Sequence, residues 1–295
     1  MKKILPLLLA ALLLCTGCGQ ETDFDGPSIA ATTAPVYQFT TALCQGTDIT
    51  VTQVITESVS CVHDYTLTVR QMQTLEGADA VVISGAGLEA FMEDVLEGRD
   101  VIDSSQGIEL LCSEHDHEEE EDHHHDHDHG ESDPHIWLDP ANAMVMAQNI
   151  CRELSQRYPG YTETFQTNQD ELLVKFQELE AYGQAAVSQL ASREIITFHD
   201  GFGYFAPSLD LEILAAIEEE PGSEASAAEL ESIITLVREC GVSAIFTEVN
   251  GSDSAAGVIS RETGVSRFTL DMGMSGADYF DLMRTNYDTI KEALG

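Results

Sequence analysis

The sequence predicts an α/β protein of two lobes joined by one long helix. Short apolar runs alternate with helical patterns in the first half of the chain, and the same alternation returns toward the C-terminus. Between these regions, residues 162–191 keep apolar side chains at helical spacing, with Gly183 as the main interruption. A helix of about 30 residues would be roughly 45 Å long, more than one small domain needs. We therefore expect a rigid linking helix over 161–191 and a sheet in each lobe.

The first lobe is expected to cover residues 36–160. The predicted strands are VYQFTTAL (36–43), DITVTQVIT (48–56) and ADAVVISGA (78–86), and the predicted helices are TLTVRQMQTLEG (66–77) and LEAFMEDVLEG (88–98). A further helix, running toward Tyr158, is predicted by Asp139 as its N-cap and by Pro140 in its first turn.

The second lobe is expected to cover residues 192–295. The predicted strands are EIITFH (194–199), LEILAAI (211–217), SAIFTEV (243–249) and SRFTLD (266–271), and the predicted helices are 225–240, 254–263 and one from about 277. Strands that alternate with helices form a parallel or mixed sheet, and ligand sites of such sheets gather at the carboxyl ends of the strands.

The N-terminus has the pattern of an export signal. Two lysines precede an apolar run that is too short for a stable membrane span, which predicts a signal peptide over 1–17. The tripeptide TGC that ends at Cys18 resembles the end of a bacterial lipobox, so we expect Cys18 to be lipidated; an ordinary cleaved signal is the alternative. Small and polar residues over 18–35 then predict a flexible linker.

Five cysteines follow Cys18. An oxidising exterior allows a disulfide, but an odd number leaves at least one thiol unpaired, and the sequence does not fix the pairing. No CxxC spacing occurs, so a cysteine zinc site is not expected. These residues are Cys44, Cys61, Cys112, Cys151 and Cys240.

The charge of the chain restricts its partners. A formal net charge of −39, with only 13 Lys and Arg residues, excludes nucleic acid and anionic membrane surfaces as partners. The same charge concentrates cations, although a solvated acidic surface without a function explains it equally well.

Most of the histidines lie in one acidic tract, residues 113–132. The tract has no apolar residue that could anchor it in a core, so we expect a mobile loop whose imidazoles and carboxylates bind metal ions weakly and in many arrangements. A solvated charge run without a function is the alternative. The histidines of the tract are His115, His117, His123, His124, His125, His127 and His129.

The three remaining histidines, His63, His135 and His199, each lie near a predicted strand end or helix start, so they can converge on one site. Tetrahedral zinc takes four ligands, and two acidic residues, Glu248 and Asp271, end predicted strands of the second lobe. Either could be the fourth ligand, and the other could orient a histidine. The residues alone do not decide between them.

Four segments resemble the signature segments of the metal-binding lipoproteins of bacterial ABC importers for zinc and manganese. These are SCVHDYTLT, DPHIWLDP, FHDGFGYF and the C-terminal stretch that begins TLDMGMSGADYF. The resemblance implies two α/β lobes with a metal ion in the cleft between them. It also implies that His63, His135, His199 and Asp271 are the ligands and that Glu248 supports them.

The resemblance further implies the function, which is extracytoplasmic capture of Zn²⁺ and its delivery to an ABC permease by a monomer anchored on the outer face of the membrane. Manganese-type members tend to have a carboxylate where this chain has His199, and three imidazoles suit Zn²⁺ better than Mn²⁺. Two departures from the family pattern are Val62, where Pro is frequent, and Cys61, two residues from a ligand position.

Two other functional classes are weighed against transport. A zinc hydrolase would need an open coordination position for water, but four protein ligands leave none, and no HExxH motif occurs. An enzyme is therefore not expected. The alternative from a different class is a surface zinc buffer or adhesin, in which the tract binds metal and the lobes serve as its scaffold.

Overall fold

The computed structural model describes residues 26–59, 62, 65–111, 132–218, 225–249, 251 and 254–295. It contains two four-stranded parallel sheets, one in each lobe, and a helix of 26 residues between them. The predicted α/β class, with two lobes and a long helix, is confirmed. Within the described ranges, none of the helices is long and apolar enough to span a bilayer.

The first lobe has the strand order β2-β1-β3-β4. Its strands are β1 (Ser28–Ala31), β2 (Thr50–Gln53), β3 (Ala80–Ile83) and β4 (Val101–Asp103). Its helices are α1 (Ala34–Leu43), α2 (Val69–Gly77), α3 (Glu93–Leu96) and α4 (Pro140–Arg157). Short 3₁₀ turns cover Ala90–Met92, Ile136–Leu138 and Pro159–Tyr161.

The second lobe repeats this arrangement with the order β6-β5-β7-β8. The linking helix α5 (Thr162–Val187) leads into it. Its strands are β5 (Glu194–His199), β6 (Glu212–Glu218), β7 (Ala244–Glu248) and β8 (Ser266–Leu270), and its helices are α6 (Phe205–Ser208), α7 (Ala227–Cys240), α8 (Ser254–Thr263) and α9 (Tyr279–Leu294).

The start of the first lobe differs from the prediction. The segment VYQFTTAL forms helix α1 and not a strand, because Pro35 fits the first turn and Val36, Phe39 and Leu43 bury one helical face. The first strand instead lies at β1, inside the segment predicted as a flexible linker. Its residues 29–31 are fully buried, so this part of the segment belongs to the sheet.

Other elements are present with shifted bounds. The helix predicted over 88–98 is a 3₁₀ turn followed by the single turn of α3, and β4 and α6 were not predicted. By contrast, β5 and α8 have the predicted bounds, and Asp139 caps α4 by accepting a hydrogen bond from the Ala141 amide at 2.9 Å.

A buried carboxylate joins the ends of β1 and β3. Glu89 accepts hydrogen bonds from the Thr32 hydroxyl at 2.6 Å and from the amides of Ser84 and Gly85 at 2.8 and 3.0 Å. Burial raises the pKa of Glu89 to about 7, although these hydrogen bonds oppose the shift. The carboxylate therefore fixes the two loops that follow β1 and β3 at the carboxyl edge of the first sheet, the edge at which ligand sites of open α/β sheets gather.

The linking helix packs against both lobes. The ring of Phe176 in α5 lies 5.3 Å from that of Phe39 in α1 and 5.8 Å from that of Tyr279 in α9, measured between centroids. One hydrophobic core runs from the first lobe through α5 and α9 to the near face of the second sheet. A separate core covers the far face, since Ile195 belongs to the first core and Ile196 to the second.

Gly183, which interrupts the helical pattern of α5, is explained by this packing. A Cβ atom at Gly183 would lie 2.9 Å from Cε2 of Tyr287 and 3.1 Å from Cδ2 of Leu209. Because the aromatic ring of Tyr287 is fully buried, it has little room to move away. The glycine therefore permits close contact between α5 and α9.

We predict that Gly183→Ala lowers the free energy of unfolding by about 1–2 kcal/mol, because overpacking outweighs the gain of about 1 kcal/mol in helix propensity. Gly160→Ala is the matched control, since no atom lies within 4 Å of a Cβ built there. Urea denaturation of both variants measures the difference. An unchanged or higher stability of Gly183→Ala would contradict the packing explanation.

Candidate metal centre

His199 is the last residue of β5 and so lies at the carboxyl edge of the second sheet. Its side chain is buried, 5% exposed. Neither of its ring nitrogens has a hydrogen-bond partner within the described part of the chain. A buried polar group without a partner costs about 1–3 kcal/mol, so such groups are rare in folded proteins. A metal ion bound to one of these nitrogens would offset this cost. The environment of His199 is therefore the one expected of a metal ligand.

His135 lies in the first lobe, just before the 3₁₀ turn that leads into α4. Its side chain is buried, and Asp133 Oδ1 accepts hydrogen bonds from both the main-chain amide of His135, at 2.9 Å, and its Nδ1, at 2.8 Å. Donation from Nδ1 selects the tautomer in which Nε2 carries the lone pair. A carboxylate behind an imidazole is the usual arrangement for a metal-binding histidine.

The structure brings these two imidazoles together from different lobes. The ring centroids of His135 and His199 are 5.4 Å apart, and the ring planes are nearly perpendicular, at 84°. Two imidazoles bound to one tetrahedral ion, with metal–nitrogen distances of about 2.0–2.1 Å, have centroids roughly 5 Å apart. The observed spacing therefore fits a shared ion.

Gly201 allows this approach. A Cβ atom at Gly201 would lie 2.8 Å from Cδ2 of His199 and 3.1 Å from Cε1 of His135, and it would also collide with Cε of Met272. Any side chain at this position would have to separate the two rings. Gly201, the first of the two glycines in the HDGFGYF segment, is thus required by the contact between the lobes.

The two acidic candidates lie at the same edge of the second sheet as His199. Strand β7, which ends at Glu248, lies between β5 and β8, and Leu270, the last residue of β8, pairs with Glu248. Glu248 is buried and Asp271, which follows β8, is partly buried. Both carboxylates therefore end strands that neighbour one another at the carboxyl edge.

The backbone around Asp271 is held firmly. Its amide donates to Oδ1 of Asn286 at 2.9 Å, its carbonyl accepts from Nδ2 of the same side chain at 2.8 Å, and its Oδ1 accepts from the Gly273 amide at 2.9 Å. The buried side chain of Asn286 in α9 thus fixes the loop that carries this carboxylate.

Among the predicted ligands that lie in the described residues, His135 and His199 are the two whose rings contact each other. His63 lies outside the described residues. Among the residues that are described, no three His, Cys, Asp or Glu side chains come close enough together to hold one ion. The roles of His63, Asp271 and Glu248 as ligands or supports therefore stay predictions.

Other predicted positions fall outside the described residues altogether. They are Cys18, Cys61, Cys112 and the seven tract histidines. Cys44 and Cys151, which are buried, and Cys240, which is exposed, have free thiols in the structure. Burial raises the pKa of the Cys44 thiol to about 12, which keeps it protonated and unsuited to bind a metal.

Several residues around the imidazole pair were not assigned a role from the sequence. Asp133 orients His135, and the buried indole of Trp137 donates from Nε1 to the Met272 carbonyl at 2.7 Å. The DPHIWLDP segment offered one signal, because an Asp two residues before a His can accept its Nδ1 proton. The roles of Trp137 and Gly201 depend on contacts between lobes, and no local pattern indicates them.

Comparisons with known proteins agree with this architecture. The sequence profile of the ZnuA family, described as zinc-uptake complex component A, periplasmic, matches residues 29–293. The zinc-binding lipoprotein AdcA of Streptococcus pneumoniae strain R6 is 28% identical over 99% of this chain. The chain spans 61% of the length of that relative.

Two solved structures have the same fold. The crystal structure of ZnuA superposes with a TM-score of 0.81 and 26% identity, covering 92% of this chain and 100% of ZnuA. A ZnuA deletion mutant with zinc bound superposes with a TM-score of 0.77 and 25% identity, covering 92% of this chain and 99% of the mutant. Because the family profile matches nearly the whole chain, the protein belongs to the ZnuA family of periplasmic zinc-uptake components.

Proposed function

We propose that the protein captures Zn²⁺ outside the cytoplasm and delivers it to the permease of an ABC-type importer. The observation that carries the proposal is the pair of buried imidazoles, His135 and His199, which come from different lobes and lie 5.4 Å apart. His63 and Asp271 complete a set of three nitrogen ligands and one oxygen ligand, and Glu248 supports the set.

The chemistry of these ligands favours zinc. Imidazole nitrogen is a good ligand for Zn²⁺, whereas Mn²⁺ prefers the harder oxygen of carboxylates, carbonyls and water. The AdcA relative is named a zinc-binding lipoprotein, and the ZnuA deletion mutant was solved with zinc bound, which supports the same ion. Four protein ligands would also leave no position for a reactive water, so the site suits binding and release and not hydrolysis.

The location of the site suits transport. Each lobe contributes ligands, so a small relative movement of the lobes removes half of the coordination shell at once. An ion held in this way can be tightly bound in one arrangement and released in another, provided that the permease binds the second arrangement better. A monomer is sufficient for this mechanism.

Anchoring at the outer face of the cell membrane completes the proposal. The export signal and the TGC tripeptide predict lipidation of Cys18, and the name of the AdcA relative includes the word lipoprotein. One acyl-modified cysteine with two chains is enough for stable anchoring, and it keeps the lobes close to a permease in the same membrane.

We predict that His63→Ala, His135→Ala and His199→Ala each weaken zinc binding by about 100-fold or more, because each removes one of four ligands. Asp271→Ala should weaken it less if water or Glu248 replaces the lost oxygen. Competition with a chelator, on the chain that follows Cys18, measures the affinities, and an equal concentration of Mn²⁺ should not displace the zinc. The matched control is His125→Ala in the tract, which should keep the tight site.

Negligible effects of all four ligand substitutions, or displacement of zinc by equal Mn²⁺, would contradict the assignment of the site.

The transport role is tested in cells. A strain that lacks this protein should lose most zinc uptake at low external zinc, and the wild-type gene should restore it while the His199→Ala gene should not. Measuring accumulation of a zinc isotope checks this expectation. Normal uptake in the deletion strain would instead favour the surface buffer or adhesin.

Deleting residues 113–132 should leave one tight zinc ion per molecule, because no predicted ligand of the tight site is lost. The deletion should remove only weaker additional ions and slow capture at scarce zinc, since a polyanionic segment that ends three residues before His135 in the chain would raise the local zinc concentration. The ZnuA deletion mutant solved with zinc bound supports the expectation that a family member can lose a segment and still bind the ion.

Calorimetric titration of zinc into the protein with and without residues 113–132 measures whether the tight ion is kept. Loss of the tight ion from a deletion protein that keeps His135 and the DPHIWLDP segment would mean that the tract itself is the site.

A further inference from the structure

The hydroxyl of Tyr204 connects the second lobe to two segments of the first lobe. It accepts a hydrogen bond from the Leu111 amide at 2.9 Å and donates one to the Asp133 carbonyl at 3.0 Å. The Asp133 amide in turn donates to the Leu111 carbonyl at 2.9 Å, so the two segments also hold each other. Tyr204 is 7% exposed, which protects these bonds from competition with water.

Asp133 is therefore held at several points. Its main-chain oxygen accepts from Tyr204, its Oδ1 accepts from Nδ1 of His135, and its Oδ2 lies against Gly203. A Cβ atom at Gly203 would be only 2.6 Å from this Oδ2 and 3.3 Å from Cδ1 of Leu111. The second-lobe loop thus contacts Asp133 from two adjacent residues, Gly203 and Tyr204.

The same loop carries His199 at its start. His199 and Tyr204 are five residues apart in the segment HDGFGYF, and each contacts the first lobe, His199 at the ring of His135 and Tyr204 at the carbonyl of Asp133. The position of His135 is therefore linked to the loop that carries His199 through two hydrogen bonds, one from His135 to Asp133 and one from Tyr204 to Asp133.

We propose that Tyr204 is a positioning residue for metal binding. It fixes Asp133, and through Asp133 it sets the orientation of His135 relative to His199. This inference rests on the proposed zinc site, because it concerns how two of its ligands are held. Tyr204 itself does not touch the ion.

The expected consequence concerns the lifetime of the bound ion. Without the hydroxyl, the Leu111 amide and the Asp133 carbonyl lose a shared buried partner, and Asp133 gains freedom to move with His135. Orientation supplied by groups behind a metal ligand is typically worth about 10–100-fold in affinity. We expect about tenfold faster dissociation of zinc.

The test uses Tyr204→Phe in the full mature chain, which keeps the buried ring and removes only the hydroxyl. Zinc dissociation is followed by capture with an excess of chelator, and the visible absorption of the Co²⁺-loaded protein reports the geometry of the ligands. Tyr182→Phe is the matched control, since it removes a hydroxyl that donates to Asp288 Oδ1 at 2.8 Å on the exposed side of α5.

Faster dissociation and a changed cobalt spectrum in Tyr204→Phe, with the control unchanged and the melting temperature of the metal-free protein within a few degrees of wild type, would support the proposal. Gly203→Ala, which displaces Asp133 by a different route, should change the cobalt spectrum in the same way. Wild-type dissociation and an unchanged spectrum in Tyr204→Phe would overturn it. So would faster dissociation with an unchanged spectrum and a lowered melting temperature, because that pattern indicates general destabilisation.

The outcome for His135→Ala separates this inference from the proposed function. If His135→Ala loses tight zinc while Tyr204→Phe behaves as wild type, only the role of Tyr204 fails. If His135→Ala still binds zinc tightly, the zinc site and the role of Tyr204 are both overturned.

Discussion

The buried indole of Trp137 fixes the position of one lobe relative to the other, and the distance between the two imidazoles depends on that position. Its Nε1 donates to the Met272 carbonyl of the second lobe, while its own carbonyl accepts from the Tyr279 hydroxyl at 2.7 Å. Gly273, at φ +86°, is needed beside it, because a Cβ atom there would lie 3.0 Å from Nε1. His135 lies two residues before Trp137 in the chain, so the indole holds the segment that carries this proposed ligand directly against the other lobe.

The continuous core limits how far the lobes can separate. Aromatic side chains of α1, α5 and α9 pack together around Phe176, and wide opening would expose them to water at about 25 cal/mol for each Å² of apolar surface. Small movements of the loops beside the imidazole pair expose little apolar surface and therefore cost less, although they strain the hydrogen bonds that Trp137, Tyr204 and Asn286 make there. In the proposed transport role, capture and release therefore use a small relative shift of the lobes and not a wide opening at α5.

The sequence was sufficient to predict two α/β lobes, a long helix and the approach of His135 to His199. It was insufficient for the first elements of the first lobe and for the contacts between the lobes. Strand ends with isolated histidines can be recognised because parallel sheets collect ligands there. Helix α1 was predicted as a strand because its β-branched and aromatic residues favour strands, but Pro35 and burial at helical spacing override that preference. Gly201, Gly203 and Tyr204 act on residues more than sixty positions away, so no local pattern identifies their roles.

The charge of the chain and the buried imidazole pair act on different steps of ion binding: the charge attracts cations of every kind, and the imidazoles discriminate between them. The net charge of −39 attracts every cation, including Ca²⁺ and Mg²⁺, which prefer oxygen ligands and retain water. The imidazole pair is buried, and its nitrogens are poor ligands for such hard ions. A hard ion that entered would lose its hydration without gaining suitable ligands, whereas Zn²⁺ gains nitrogen bonds that offset the loss. The acidic surface can therefore increase the supply of cations without setting the specificity, which in the proposed site would depend on the imidazoles of His135 and His199.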